Sequence, residues 1–236
     1  MTNTSHDNID KLKLINKITA ILAHEIRNPV SSIAGVAQLI RSDKEVLNNE
    51  DQRQKIIGII ERESERLTNL VEEFLIYSGS EKRKNEDIVI SSVISESCEN
   101  IKANKEYSAK GLDFEYKAKD LNFVIRGDYQ RMVQAFDNIL MNAVQASPAK
   151  ASIKITFKEM VEGLYISISD KGAGIPKEAQ SNIFEPFFTT KERGTGLGLA
   201  IAWNIINAHG GTIEANNDPD GGAVFKIFFP KITNQR

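Results

Sequence analysis

Along the first third of the chain the apolar residues recur at alternating intervals of three and four. Leu12, Ile15, Leu22, Ile26, Ile33, Val36 and Ile40 follow this rhythm, with Thr19 and Pro29 filling its gaps. A polar interval from Ser42 to Asn49 interrupts it. It resumes with Ile56, Ile60, Leu67, Leu70, Phe74 and Tyr77, Glu63 being the one polar member. Such a spacing marks the seam of a bundled helix, so the pattern predicts a helical hairpin over about 9–41 and 51–78. Two helices cannot bury two such stripes on their own. A four-helix bundle made by two copies of the chain does so; the alternative is a hairpin docked on the remainder of its own chain.

Beyond the charged stretch Ser80-Glu-Lys-Arg-Lys-Asn-Glu-Asp87 the period changes. Helical spacing over Ser91 to Lys110 (Val93, Ile94, Cys98, Ile101) ends at Gly111, as helices often do. Leu112 to Tyr116 and Phe123 to Ile125 read as short strands. Asp128 can cap a helix running to about Ala146, with Met132, Ala135, Phe136, Ile139, Leu140 and Ala143 on one face. Ile153 to Phe157 and Leu164 to Ile168 alternate with period two around a turn at Glu162-Gly163. A helix from Gly198 to about Ala208 is followed by a hairpin, Thr212 to Ala215 and Ala223 to Phe229, turned at Asp218 to Gly222. Helices mixed with antiparallel pairs predict an α+β fold, one sheet faced by helices. The expected organisation is a flexible N-terminus (1–8), a helical domain (9–79), a linker (80–90) and an α/β sandwich (91–232).

Composition changes this picture little. The chain has 236 residues, 41% hydrophobic and 26% charged, and a formal net charge of −2, so no broad cationic surface for nucleic acid is expected. No apolar run reaches the roughly 18 residues that cross a bilayer, and the polar first residues, Met1 to Lys11, lack the apolar stretch of a secretion signal. A single cysteine, Cys98, excludes an internal disulfide and suits a reducing cytoplasm. The expectation is a cytoplasmic protein without membrane contact by this segment, which is either an excised part of a larger protein or acts together with a partner.

Three segments of the second half carry candidate chemistry. Asp170-Lys-Gly172-Ala-Gly174 directly follows a strand; its carboxylate can accept a hydrogen bond from an exocyclic amine, and its glycines let backbone approach a flat ring. Gly194-Thr195-Gly196-Leu197-Gly198 immediately precedes a helix, whose free N–H groups suit phosphate oxygens. Its spacing is that of neither a dinucleotide fold nor a P-loop. Asn138 and Asn142, four apart, share one helix face, and the amide oxygen of Asn142 can complete a Mg²⁺ shell of waters and phosphates. Between the first two segments, Ile183 to Arg193 mixes aromatic and cationic residues. Phe188, Thr189, Thr190 and Lys191 in this stretch form a candidate lid over a nucleotide, with Lys191 and Arg193 as its cations.

In this order the segments resemble those of the bacterial sensor histidine kinases. Asn138-Ile-Leu-Met-Asn142 is similar to their N box, Asp170 to Gly174 to the G1 box, Phe184-Glu-Pro-Phe-Phe188 to the F box, Gly194 to Gly198 to the G2 box, and His24-Glu25-Ile-Arg-Asn28-Pro29 to the H box. The resemblance spans about residues 9–230 and implies ATP and Mg²⁺ as cofactors, a homodimer, and phosphoryl transfer through His24 to an aspartate of a response regulator. The H and F boxes further resemble the nitrogen-regulatory, pilus and zinc-response kinases, whose regulators activate sigma-54 promoters. One departure is Gly221-Gly-Ala-Val-Phe225, where many of the family have Ser or Thr near the adenine; Ala223 or Val224 there removes a hydrogen bond. A non-catalytic adaptor that binds a regulator through its bundle is the rival reading, opposed by the intact Asn142, Asp170 and three G2 glycines.

With Leu12 and Ile26 at heptad position a, His24 falls at f, pointing away from the seam. A neutral imidazole offers one ring nitrogen to the γ-phosphorus of ATP. By resemblance Glu25 holds or takes the proton of the other nitrogen, although adjacent helix residues diverge by about 100°. Asn28, four residues on, shares the face of His24. By resemblance it can orient a water that dephosphorylates the regulator. Pro29 frees the carbonyl of Glu25 and invites a bend. His209, before Gly210-Gly211, is expected to complement a helix dipole.

Overall fold

The computed structural model describes residues 3–78, 84–117, 121–191 and 194–231. Arg193, residues 80–83 of the charged stretch and the side chains of His6, Leu12, Ile15 and Tyr77 lie outside the described residues. The chain forms two compact units: residues 1–79 with 189–195, and residues 80–188 with 196–236.

The first unit is built on α1 (Asn3–Ser42) and α2 (Glu50–Ser78). Helix α1 starts within the stretch expected to be flexible, and it runs through Pro29 without interruption. The interval read as a polar loop holds a 3₁₀ turn, Lys44–Leu47. Val46 of this turn is buried with Val36 of α1 and Ile56 of α2, and Ile40, Leu47 and Ile59 pack around them. Two apolar residues in a polar interval thus close the hairpin, a signal too short to register as periodicity. Elsewhere the hairpin leaves apolar side chains in water: Val30, Leu39, Ile57, Ile60, Val71 and Leu75 are 36–49% exposed.

The second unit contains strands β1 (Glu86–Val89), β2 (Asp113–Glu115), β3 (Val124–Gly127), β4 (Ser152–Glu159), β5 (Gly163–Ser169), β6 (Thr212–Asn217) and β7 (Ala223–Pro230). Its helices are α3 (Ile90–Ala103), α4 (Lys105–Lys110), α5 (Tyr129–Ala146) and α6 (Gly198–Ala208). The main sheet has the order β2-β4-β5-β7-β6; β1 and β3 form a separate antiparallel pair. The expected linker therefore ends earlier than residue 90, because Ile88 pairs with Ile125 and is fully buried. The helix expected over 91–110 breaks at Asn104, whose extended backbone separates α3 from α4. The sheet is not wholly antiparallel, since β2 runs parallel to β4.

Period-two burial on β4 and β7 puts Ile153, Ile155, Phe225, Ile227 and Phe229 into the core, joined by Met132, Phe136, Ile139 and Leu140 of α5. Asp128 caps α5 as its position predicts: Oδ1 accepts from Arg131 N (3.2 Å) and Oδ2 from Lys84 N (3.1 Å). His209, just beyond α6, has backbone partners at both ring nitrogens. Its Nδ1 bonds Ile205 O at 2.7 Å, and its Nε2 accepts from the Asp128 backbone N–H at 2.9 Å. A carbonyl partner on one nitrogen and an N–H partner on the other select the neutral Nδ1–H tautomer. The ring thereby ties the end of α6 to the start of α5. His209→Ala strands a part-buried N–H and is expected to cost about 1–3 kcal/mol, read as a lower urea midpoint with unchanged slope.

Candidate phosphoacceptor and nucleotide sites

On α1 the structure brings His24, Glu25 and Asn28 together. The His24 side chain is 67% exposed, as its heptad position predicts. Its Nδ1 lies 3.4 Å from Asn28 Nδ2 and 3.7 Å from Glu25 Oε1. Glu25 therefore does turn back towards its neighbour despite the divergence of adjacent helix positions. The reason is a residue that sequence reasoning missed: Arg66 of α2 donates to Glu25 Oε2 at 3.1 Å. Both neighbours stand at Nδ1, the Asn28 amide nitrogen as a donor and the Glu25 carboxylate as an acceptor; the carboxylate contact is the one that the Nδ1–H tautomer makes, and that tautomer leaves the Nε2 lone pair towards solvent.

In the second unit, Asp170 sits at the end of β5 and is 1% exposed. Its Oδ1 accepts from Gly172 N (2.8 Å) and Ala223 N (3.1 Å), and its own N–H donates to Ala223 O (3.0 Å). Its Oδ2 is buried and has no partner among the described residues. A buried carboxylate oxygen left unsatisfied is costly, and an exocyclic amine is the type of donor that satisfies it. Ala223, noted for lacking a hydroxyl, thus serves through its backbone. Gly222 has φ +92°, and a Cβ there would stand 2.1 Å from Asp170 O, so only glycine lets the β6–β7 turn come this close. Asn217, also missed from the sequence, clamps the backbone after Gly174: its Oδ1 accepts from Ile175 N (2.6 Å) and its Nδ2 donates to Ile175 O (2.9 Å).

Asn138 and Asn142 lie on α5. The Asn138 Nδ2 is buried without a partner among the described residues, and a Cβ on Gly198, the first residue of α6, would stand 3.6 Å from its amide. The N box and the end of the G2 box are therefore neighbours. Gly196 (φ +69°) is pressed on the backbone of Phe187 and Phe188, where a Cβ would approach to 2.5 Å, and Phe187 N donates to Gly196 O at 2.9 Å. Leu197 is fully buried and anchors this loop. The F-box segment is anchored by buried Ile183 and by Phe184, whose ring meets Phe225 edge-on at 6.5 Å.

The candidate lid residues Thr189, Thr190, Lys191, Gly194 and Thr195 fall in the segment grouped with the helical unit. There Thr189 Oγ1 accepts from Lys191 N at 3.0 Å, and a Cβ on Gly194 would stand 2.6 Å from the same oxygen. Among the described residues no cluster of three His, Cys, Asp or Glu side chains could hold a metal.

A sheet faced by helices, with a buried acid at a strand end and a glycine loop opening a helix, defines a nucleotide-binding ATPase domain, here preceded by a hairpin that displays a histidine. Residues 127–233 match the family described as histidine kinase-, DNA gyrase B-, and HSP90-like ATPase, and residues 14–82 match the His Kinase A (phospho-acceptor) domain. The chain belongs to the sensor histidine kinases. It is 33% identical to sporulation kinase A of Bacillus subtilis over 94% of its own length and 36% of that protein's. It is 32% identical to the sensor histidine kinase ZraS of Klebsiella oxytoca, covering 96% of itself and 48% of the relative. The chain thus spans at most about half the length of these relatives. Among solved structures, histidine kinase ThkA in complex with response regulator protein TrrA is 32% identical, with a TM-score of 0.76 over 96% of this chain and 65% of that one. The catalytic domain of ThkA alone gives 0.56 at 32% identity, over 63% of this chain and 98% of that one. Among the described residues no helix is long and apolar enough to cross a membrane.

Proposed function

We propose that this chain phosphorylates His24 with ATP, passes the phosphoryl group to an aspartate of a response regulator, and also speeds dephosphorylation of that regulator. The observation that carries the reading is the arrangement around His24: an exposed imidazole whose Nδ1 faces Glu25 and Asn28, so that Nε2 is the free nucleophile. In the first reaction the Nε2 lone pair bonds to the γ-phosphorus and the bond to the bridging oxygen breaks. ADP leaves with those electrons, and Glu25 holds the Nδ1 proton. Asp170 Oδ2 accepts the adenine amine, the Gly194–Gly198 loop takes the phosphates on backbone N–H groups, and Lys191 serves the lid. Asn142, with Asn138 beside it, would hold Mg²⁺, which supplies charge neutralisation on the phosphates.

The exposed apolar side chains of the hairpin support a homodimer, in which a second copy completes a four-helix bundle. The forms of the H and F boxes support a regulator of the sigma-54 activating type, and the cytoplasm is the compartment where ATP and such a regulator meet. The test is incubation with γ-labelled ATP: label resistant to alkali and sensitive to acid supports the kinase, whereas no label, or alkali-sensitive label, overturns it. The phosphatase rests on Asn28, which shares the face of His24. Asn28→Ala is expected to leave autophosphorylation within about two-fold and to slow regulator dephosphorylation by about ten-fold or more. Unchanged dephosphorylation refutes that second activity.

A further inference from the structure

We infer that Arg66 is a positioning residue for phosphorylation of His24, acting through Glu25; this rests on the kinase reading above. The geometric problem is local. Successive helix residues are rotated by about 100°, so an unrestrained Glu25 points past His24 into water. Here its two oxygens have separate duties: Oε2 accepts from Arg66 Nη2 at 3.1 Å, and Oε1 stands 3.7 Å from His24 Nδ1.

Because the partners use different oxygens, Arg66 does not compete with His24 for the carboxylate; it aims it. Glu25 and Arg66 are 24% and 34% exposed, so the pair is partly shielded from water while His24 beside it is not. The guanidinium suits this task because its planar set of donors restrains the direction of the carboxylate as well as attracting it, which a lysine ammonium does less well. Arg66 also belongs to α2, 41 residues away, so the base beside His24 is held from the opposite helix of the hairpin. Asn28 reaches His24 directly from α1. The two activities proposed for this face therefore depend on Arg66 differently.

The experiment compares Arg66→Gln and Arg66→Lys with the parent in the full chain. Three rates are followed (autophosphorylation against ATP concentration, phosphotransfer, and regulator dephosphorylation), together with the ¹⁵N spectrum of the His24 imidazole, which reports its tautomer. Arg66→Gln is expected to lower kcat for autophosphorylation by about ten-fold with KM for ATP held within about two-fold. Regulator dephosphorylation should be unchanged and the Nδ1–H tautomer less populated. Arg66→Lys should recover part of both losses. An unchanged kcat overturns the inference, as does an equal loss in all three rates with an unaltered tautomer, which would mean a purely structural role. If the parent chain labels no histidine, the kinase reading has failed. The tautomer comparison needs no ATP and still decides for or against Arg66.

Discussion

Asp170→Asn is expected to weaken ATP binding by roughly 100-fold, about 2.7 kcal/mol, while leaving the fold intact. The substitution is nearly isosteric, and Oδ1 can keep the bonds it accepts from Gly172 N and Ala223 N. What changes is the second atom. In the parent it is a buried oxygen with no partner among the described residues; in the variant it is an amide nitrogen whose hydrogens meet those of the adenine amine. Two donors facing each other at a buried atom lose the bond and leave both unsatisfied. Calorimetric titration with a non-hydrolysable ATP analogue measures the loss, and a thermal midpoint within a few degrees of the parent shows that the core is undisturbed.

The same change should narrow the preference for adenine over guanine, because guanine carries a carbonyl oxygen where adenine carries the amine. A buried group matched to one base rejects the other mainly through unpaired polar atoms. An amide in place of the carboxylate removes that mismatch for GTP. Equal losses of ATP and GTP binding would mean that Asp170 shapes the loop and does not read the base.

Much of this architecture is legible in the sequence, and the exceptions have physical causes. Helices α1, α2, α5 and α6 announce themselves because each carries one long apolar stripe, and the antiparallel hairpins because their strands alternate over several residues. Strand β1 is hidden because only four residues pair, in a stretch whose charges read as linker. The parallel pairing of β2 with β4 is invisible because pairing direction leaves no mark on a three-residue strand. At the candidate sites, the glycine loops, Asp170 at a strand end and the asparagines on α5 stand out in the sequence because close backbone approach demands particular residue types at particular spacings, while the ligands they hold are part of the proposal. Arg66, Asn217 and the backbone of Ala223 do not. Each acts on a residue 41 or more positions away, through a contact created by the fold, and an arginine on a charged helix face has no local feature to separate it from a solvated one.

His24→Gln is expected to reduce phosphoryl labelling to background, a loss of at least about 10³-fold, with ATP affinity unchanged. The amide is similar in reach but has no lone pair on nitrogen able to attack phosphorus, because that pair is delocalised into the carbonyl. Oxygen attack would form an unstable ester of a different kind. The nature of the bond supplies an independent check. In phosphohistidine the phosphorus is attached to a ring nitrogen, and acid protonates the imidazole and makes it a good leaving group, whereas in alkali it remains a poor one. Phosphoserine and phosphothreonine behave the opposite way. Label on the parent chain should therefore survive alkali and vanish in acid, and its disappearance in His24→Gln must not be accompanied by loss of nucleotide binding, since Asp170 and the glycine loop are untouched. Persistent labelling in the variant would place the nucleophile elsewhere. His209 is a poor candidate for that role, because its Nδ1 and Nε2 are both committed to backbone partners, whereas His24 is two-thirds exposed with one nitrogen turned outward.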